Sequence, residues 1–339
     1  MRSRAMVVGA VLGGTLVSGG WLMQVGLHAD GSSVYERARL FDVVMTHIEQ
    51  FYIDTISDSQ LYDKAVDGLL HELHDPHSVF LSPERLAKLN ESTSGRYAGV
   101  GIQIDVRDGW ITVVTPLPGT PADRAGIQTG DRLVEIDGRE TRGWTSDEAL
   151  KALRGSPGSA VKLVAERPGV DGKLPFTLTR QEIHFRSVQH AVMLRDNVGY
   201  VDLAVFSEDS GDELRDAIDS LKKSGMRALI FDLRDDPGGL LDQGVAVSDL
   251  FLDPGEKIVS MRGRRRESNR DFVDRLPQSW PDLPVVVLVD SGSASAAEIV
   301  AGALQDHDRA VVIGTSTFGK GSAQSLFPMP NGGALKLTT

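Results

Sequence analysis

The alternation of strand and helix patterns after Arg167 most strongly limits what this chain can fold into. Short apolar runs typical of strands lie at 198–203, 228–233, 285–289 and 310–313, and helical patterns lie at 211–223, 240–250 and 296–304. Such alternation predicts a parallel or mixed sheet with helices on its faces. Because the carboxyl ends of neighbouring parallel strands meet at one edge, we expect the functional groups there.

Two small-residue turns at such strand ends carry a serine and a lysine 25 positions apart. Ser295 lies in DSGSASAAE at 290–298, and Lys320 lies in GTSTFGKG at 314–321. Burial lowers the pKa of a lysine amine, so a buried lysine can accept the proton of a serine hydroxyl. The pair therefore predicts a serine hydrolase that needs no histidine.

Backbone N–H groups beside the serine would complete such a site. Ser295 directly precedes a helix, so the free N–H of Ala296 can stabilise a developing oxyanion. The turn DLRDDPGG at 232–239 lets the backbone approach a ligand closely. We expect either Gly238 or Gly239 to supply the second N–H donor.

The segment around Lys320 has further interpretations. Residues 314–320 fit the first seven places of a phosphate-binding P-loop, but the eighth place is Gly321 instead of serine or threonine. A P-loop must also open a helix, whereas the prolines and glycines that follow predict strand and turn. Gln324 lies four residues after Lys320, and on a strand the two would share a face, so Gln324 could orient the amine.

Histidines offer two lesser hypotheses. His307 lies at the far end of the helix that follows the serine, which makes a Ser-His-Asp triad the weaker hydrolase interpretation. A metal site would use the closely spaced His71, His74 and His77, but a proline ends the helix before the third of them. We therefore expect no metal.

The region before Arg167 divides into a helical part and a β-rich part. Two helical patterns at 40–51 and 61–73 are followed by a short helix that begins after Ser82 and runs to about Asn90. Beyond these, the pattern changes to strands around an Asp-Gly turn at 108–109, a strand at 133–136, a helix at 146–153 and a closing strand at 161–165.

Composition limits the partners and the compartment. The chain has 339 residues, a net charge of −11 and no cysteine, which argues against nucleic acid as a partner and excludes thiol chemistry. The basic run at 262–266 predicts an exposed loop. Arg2 and Arg4 precede an uncharged stretch at 5–27 that is long enough to contact or cross a membrane. Residues 1–30 therefore predict a signal peptide or a signal-anchor, and an exported protein.

Several separate motifs resemble those of the carboxyl-terminal processing peptidases, S41-type serine proteases with a Ser-Lys dyad and an embedded PDZ domain. The matching segments are DPHS at 75–78, YAGVGI at 97–102, PGTPA at 118–122, LRDDPGG at 233–239, SASAAE at 293–298 and FGKG at 318–321. The resemblance covers roughly residues 34–339, and the order and spacing of the motifs make it specific.

The resemblance assigns roles to these residues. It implies Ser295 as nucleophile, Lys320 as general base, Gln324 as the residue that orients the lysine, and Ala296 with Gly238 or Gly239 as oxyanion donors. It also implies that a backbone loop binds the terminal carboxylate of a substrate while the neighbouring strand pairs with its tail. That loop consists of Gly99, Val100, Gly101 and Ile102. No cofactor is implied.

The implied architecture is a multidomain chain of the α+β and α/β classes. It comprises the signal segment 1–30, an N-terminal helical region 31–91, a PDZ domain 92–168 and a mixed αβ protease core 169–339. The expected function is that of a periplasmic or otherwise extracytoplasmic endopeptidase for proteins with apolar C-termini. The alternative is an inactive PDZ adaptor that binds such tails. An adaptor or activator protein is a further candidate partner, and the oligomeric state stays open.

Two departures from the family pattern stand out. Asp236 occupies a place where relatives often carry asparagine, and it adds negative charge near the oxyanion unless it turns away, for example toward Arg234. The chain also stops at Thr339, within an expected strand, where relatives continue. We therefore expect the protease core to be incomplete at its carboxyl end.

Overall fold

The computed structural model describes residues 33–339 of the chain. The predicted signal peptide or signal-anchor at 1–30 lies outside the described residues. Within 33–339, no helix has both the length and the apolar content needed to cross a bilayer. The chain separates into two units, Met1–Pro76 and His77–Thr339.

Two helices form the described part of the first unit, as the apolar spacing predicts. Helix α1 spans Val34–Phe51 and helix α2 spans Asp58–His71. Each begins with a capping box, in which a serine side chain accepts a hydrogen bond from the third helical N–H and the side chain there bonds back. Met45 on α1 and Leu61 on α2 are buried.

The second unit contains the remaining described elements. Its helices are α3 Pro83–Ser94, α4 Pro121–Arg124, α5 Ser146–Leu153, α6 Ser210–Lys223, α7 Leu241–Asp249 and α8 Ala296–Asp306. Its first strands are β1 Val79–Leu81, β2 Arg96–Gly99, β3 Ile102–Arg107, β4 Trp110–Pro116, β5 Arg132–Ile136, β6 Arg139–Glu140, β7 Ala160–Glu166, β8 Leu174–Thr179 and β9 Gln181–His184. The later strands are β10 Val188–Met193, β11 Val198–Leu203, β12 Ala228–Asp232, β13 Lys257–Met261, β14 Arg270–Val273, β15 Val285–Val289, β16 Val311–Gly314, β17 Gln324–Pro328 and β18 Ala334–Thr338.

The β-rich region folds around its own core. Its antiparallel sheet has the order β3-β4-β5-β7-β8, with β6 paired to β5, so β3 is an edge strand. The predicted Asp-Gly turn joins β3 to β4, and the predicted helix at 146–153 is α5. Ile111, Leu133 and Leu163 are among the fully buried side chains, and each belongs to a different strand of this sheet.

Strand β8 extends this sheet past residue 168, where the sequence analysis ended the domain. It pairs antiparallel with β7. Its side chains alternate as in a half-buried strand, with Leu174, Phe176 and Leu178 less exposed than the residues that alternate with them. Strand β9 then pairs with β2, so the chain enters and leaves the β-rich region along one two-stranded ribbon.

The carboxyl-terminal region contains the mixed sheet that the strand-helix alternation predicts. Its order is β10-β11-β12-β15-β16, with parallel pairing from β11 to β16 and an antiparallel β10. Leu214, Ile218 and Leu221 recur at helical spacing on the buried face of α6. They share one apolar core with residues of the sheet and of helices α7 and α8. The carboxyl ends of β12, β15 and β16 lead into the glycine turn at 232–239, the serine turn at 290–298 and the lysine loop at 314–321.

Two smaller sheets complete the unit. Strands β13 and β14 form a hairpin, and the basic run between them has exposed arginines, as predicted. Strands β17 and β18 pair antiparallel, and β18 also pairs with β1. Lys320 is followed by an irregular segment and then by β17, so no helix opens there and the segment is not a P-loop.

Candidate active site

Ser295 occupies the turn between β15 and α8 in a strained backbone conformation. Its φ of 56° and ψ of −111° are rare for a residue other than glycine and cost about 1–3 kcal/mol. Several hydrogen bonds hold the turn, and two of them lie on either side of the serine backbone. The Ser295 N–H donates to Glu298 Oε2 at 2.7 Å, and the Ala294 N–H donates to the carbonyl oxygen of Asp236 at 2.9 Å. Strain of this kind is concentrated at functional sites.

The loop that carries Lys320 is tied to the serine turn. The Lys320 N–H donates to Glu298 Oε2 at 2.9 Å, and the Gly319 N–H donates to Oε1 of the same carboxylate at 2.6 Å. The Phe318 N–H donates to the carbonyl oxygen of Ser293 at 3.0 Å. The backbone positions expected to carry nucleophile and base are therefore neighbours at the carboxyl edge of the sheet.

A second lysine lies near the amine of Lys320. Burial lowers the pKa of Lys336, and the charge of Lys320 lowers it further. Lys336 lies on β18 opposite Leu326 of β17. The strands that follow the lysine loop thus bring additional positive charge to the site.

The glycine turn after β12 lies directly against the serine turn. A Cβ atom on Gly238 would come within 2.5 Å of the Ala294 carbonyl oxygen and 2.8 Å of the Ala296 nitrogen, and the φ of Gly238 is +85°. The position therefore requires glycine. The Gly238 N–H donates to Asp236 Oδ1 at 2.8 Å. In the described part of the chain, the N–H groups of Gly239 and Ala296 have no acceptor. Gly239 is thus the free donor of the two candidate glycines.

Asp236 does not turn toward Arg234, contrary to the sequence-based suggestion. Its side chain is fully buried, and Arg234 instead forms an ion pair with Asp232. Burial raises the pKa of Asp236, the Gly238 N–H hydrogen bond opposes this, and the charge of Asp202 adds to the rise, so that the pKa is about 8. Asp236 Oδ2 is buried and without a hydrogen-bond partner. A protonated carboxyl group resembles the asparagine amide that the family pattern often has at this place.

The expected geometry for Gln324 is wrong in one respect. Lys320 precedes β17, so the two side chains do not share a strand face. The Gln324 amide nitrogen donates to Ser322 Oγ at 3.0 Å and to Thr338 Oγ1 at 3.2 Å. Among residues 33–339, no hydrogen bond joins Gln324 to the Lys320 amine. Its predicted orienting role stays a prediction.

The histidine hypotheses find no support in the geometry. His307 Nε2 lies 2.9 Å from the carbonyl oxygen of Lys257, and its Nδ1 lies 3.7 Å from Glu256, at the opposite end of α8 from Ser295. These contacts hold the His307 ring at the end of α8 that is far from Ser295. Across the described residues, no three His, Cys, Asp or Glu side chains are grouped so that they could hold a metal ion.

The expected carboxylate-binding loop connects β2 to the edge strand β3. The Val100 carbonyl oxygen accepts the Ala122 N–H, and the Gly101 carbonyl oxygen accepts the Leu117 N–H. The N–H groups of Val100 and Gly101 donate to no acceptor within 33–339. The loop therefore has two free N–H groups at the head of an open strand edge, beside helix α5.

Comparisons with known proteins identify the family of this chain. Residues 197–339 match the family model of peptidase family S41, and residues 112–167 match that of the PDZ domain. A carboxy-terminal-processing protease of Bartonella bacilliformis is 38% identical over 311 residues, which are 91% of this chain and 71% of the relative. The chain belongs to the carboxy-terminal-processing proteases of peptidase family S41. It is a serine-type peptidase with a PDZ domain.

Two further comparisons describe the extent of the likeness. The carboxy-terminal processing protease CtpA of Bacillus subtilis is 36% identical over 86% of this chain, and the chain covers 62% of that relative. A putative S41 protease from Bacteroides fragilis has a similar fold, with a TM-score of 0.53, 20% identity and coverage of 88% of this chain and 84% of that one. The chain thus spans somewhat under two thirds of the Bacillus relative.

The sequence did not predict the contacts of the two carboxyl groups that organise the site. Glu298 was noted as part of a motif, but its bonds to the lysine loop were not foreseen, although glutamate three residues after an N-cap position is a recognisable capping signal. Asp236 was expected to be turned away, and nothing in its spacing indicates full burial. Both depend on contacts between distant segments.

Proposed function

We propose that this protein is an extracytoplasmic endopeptidase that binds the carboxyl-terminal tails of its substrates and cleaves peptide bonds with a Ser295–Lys320 dyad. One observation carries the dyad: a single oxygen, Glu298 Oε2, accepts hydrogen bonds from the backbone N–H groups of both residues. Extracytoplasmic action is inferred from residues 1–30, where arginines precede an uncharged segment.

The proposed cycle has two halves. The Ser295 hydroxyl attacks the scissile carbonyl carbon, and the Lys320 amine accepts the hydroxyl proton on its nitrogen lone pair. The N–H groups of Ala296 and Gly239 stabilise the oxyanion, and the lysine passes its proton to the leaving amine. The same amine then activates a water molecule that releases the acyl group and restores the serine. These steps require neither a metal nor an organic cofactor.

Tail recognition is proposed to use the PDZ domain. The free N–H groups of Val100 and Gly101 would bind the terminal carboxylate, and the tail would pair with the exposed edge of β3 beside α5. Ile102 of β3 and Leu153 of α5 belong to the buried apolar core of this domain, and a tail paired with β3 would lie beside that core, which favours substrates with apolar final residues.

The test compares the chain lacking residues 1–29 with its Ser295→Ala and Lys320→Ala variants. The substrate is an unfolded protein with an apolar C-terminal tail. We expect both variants to lose cleavage by at least about 1,000-fold, because each removes a group that acts directly in the reaction. Binding of a tail peptide should not change. Ser279→Ala, the same change at an exposed serine, should cleave like the parent.

Two results would count against the proposal. Substantial cleavage by either dyad variant would exclude the dyad. Tail binding by a parent chain that cleaves nothing would favour the PDZ adaptor as the function of this chain.

A further inference from the structure

The Glu298 carboxylate accepts four hydrogen bonds from the two loops of the candidate dyad. Oε2 accepts from the N–H groups of Ser295 at 2.7 Å and Lys320 at 2.9 Å. Oε1 accepts from the Gly319 N–H at 2.6 Å and the Thr317 hydroxyl at 2.7 Å. Each oxygen has two lone pairs, so these bonds use the full accepting capacity of a carboxylate.

The arrangement requires the ionised form of Glu298. Burial alone would raise the pKa of this carboxyl group, but the hydrogen bonds outweigh burial and lower the pKa below its ordinary value. A carboxylate accepts on both oxygens, whereas an amide has one accepting oxygen and a donating nitrogen. A glutamine at this position would replace one accepting oxygen by an NH2 group. That group would face donors instead of accepting their hydrogen bonds, so at least some of the four bonds would be lost.

Helix capping accounts for just one of these bonds. In a capping box, the third residue bonds back to the N-cap N–H, as Glu298 does to Ser295. Glu36 has the same place in helix α1, where it accepts the Ser33 N–H at 3.1 Å. The other three bonds, from Thr317, Gly319 and Lys320, have no role in starting the helix. All three come from the lysine loop, which carries the predicted general base Lys320.

Little else holds the lysine loop in place. Strand β16, which leads into it, is an edge strand with exposed Val311 and Ile313 side chains. A cavity of about 320 Å³ adjoins Glu298 and is lined by Gly314 and Thr317 among others, so packing is open on that side. Apart from the bonds to Glu298, one hydrogen bond within residues 33–339 joins 317–320 to the serine turn, from the Phe318 N–H to the Ser293 carbonyl oxygen.

We propose that Glu298 is the positioning residue of the dyad, whose carboxylate fixes the lysine loop against the nucleophile turn so that the Lys320 amine stays within reach of the Ser295 hydroxyl. The catalytic part of this inference rests on the proposed function. The positioning part concerns the loops alone and can be tested separately.

The central variant is Glu298→Gln, with Glu36→Gln as its matched control at the other capping box. We expect Glu298→Gln to lower kcat by about 100-fold, since a displacement near 1 Å of a reacting group has effects of this size. KM, tail-peptide affinity and the thermal midpoint should change little. Thr317→Val removes one bond of the four, so its kcat should lie between those of the parent and Glu298→Gln. Glu36→Gln should match the parent in kcat.

Two measurements separate this inference from the proposed function. The first is the rate at which a fluorophosphonate labels Ser295, and we expect it to fall with kcat in Glu298→Gln. The second is hydrogen exchange of the amides at 319–320, which needs no activity, and we expect it to be faster in Glu298→Gln but unchanged in Glu36→Gln.

The outcomes are distinct. A parent chain that neither cleaves nor is labelled would contradict the proposed function, and the exchange rates would still decide whether Glu298 holds the loop. Unchanged exchange, or a kcat within twofold of the parent, would overturn the inference. A loss of activity in Glu298→Gln that comes with a similar loss of tail affinity and a lower thermal midpoint would overturn it too, because that result marks a general structural role.

Discussion

At the scale of single residues, a carboxyl group as deeply buried as that of Asp236 resists losing its proton. Its backbone carbonyl supports the serine turn and its Oδ1 accepts the Gly238 N–H. An ionised Asp236 would place a negative charge beside the N–H groups that are proposed to stabilise an oxyanion. The raised pKa keeps the group neutral over most of the physiological range.

Asp236 should make folding stability depend on pH. Its pKa is about 8 in the folded protein, whereas the ordinary value of an aspartate, which applies to the unfolded chain, is 3.8. Below about pH 4, Asp236 is protonated in both the folded and the unfolded protein. Between about pH 4 and pH 8, only the unfolded protein releases the proton, so the free energy of unfolding falls as the pH rises. Above about pH 8 both forms are ionised, and the free energy of unfolding levels off. Asp236→Asn removes this penalty. We expect its free energy of unfolding to exceed that of the parent by a few kcal/mol more at pH 8 than at pH 4.

Urea unfolding at the two pH values measures this difference. Asp235→Asn is the matched control, because Asp235 is the neighbouring residue but is exposed. Its stability relative to the parent should not depend on pH. A pH-independent difference for Asp236→Asn would show that Asp236 is ionised in the folded protein.

At the scale of elements, the loop before β3 depends on a close approach to the segment before α4. A Cβ atom on Gly101 would lie 2.3 Å from the Thr120 Cβ, so a side chain there would displace the loop. We expect Gly101→Ala to weaken tail-peptide binding by at least about tenfold, because the two N–H groups that face the carboxylate would move. Isothermal titration with an apolar tail peptide measures the effect.

Gly109 supplies the control for backbone strain. Its φ of +75° is close to the +76° of Gly101, but a Cβ atom there would meet nothing within 4 Å. Gly109→Ala therefore carries the same strain without the collision. Equal tail affinities for the two variants would disprove the proposed role of the 99–102 loop.

The elements also mark how far the sequence could predict the fold and the site. Strands β11, β12, β15 and β16 and the helices between them were predicted, because each has a continuous apolar pattern of its own. Strand β8 alternates regularly in burial, but it was not assigned to the PDZ sheet, because its pairing with β7 is a contact between separate segments. The partners of Gln324 and Glu298 depend in the same way on how separate segments meet, which spacing along one chain does not encode.

At the scale of the whole molecule, the compartment is the property to test. Arginines before the uncharged stretch at 5–27 should direct the rest of the chain out of the cytoplasm. We expect the full chain to be degraded by a protease added outside bacterial cells with a permeabilised outer envelope. The chain without residues 1–29 should stay protected.

The same experiment distinguishes the two forms of export. A shortened product in the extracytoplasmic soluble fraction indicates a cleaved signal peptide, and a full-length product in the membrane fraction indicates a signal-anchor. Protection of the full chain together with the truncated one would contradict export.

The pairing of β1 with β18 has a consequence for how the protein is made. Val79 on β1 pairs with Lys336 on β18, more than 250 residues later in the chain, so β1 cannot pair until β18 has been made. The PDZ sheet, in contrast, is built from strands that lie close together along the chain and can form while synthesis continues. A growing chain would therefore complete the sheet proposed to bind tails before it completes the sheet that follows the proposed catalytic lysine.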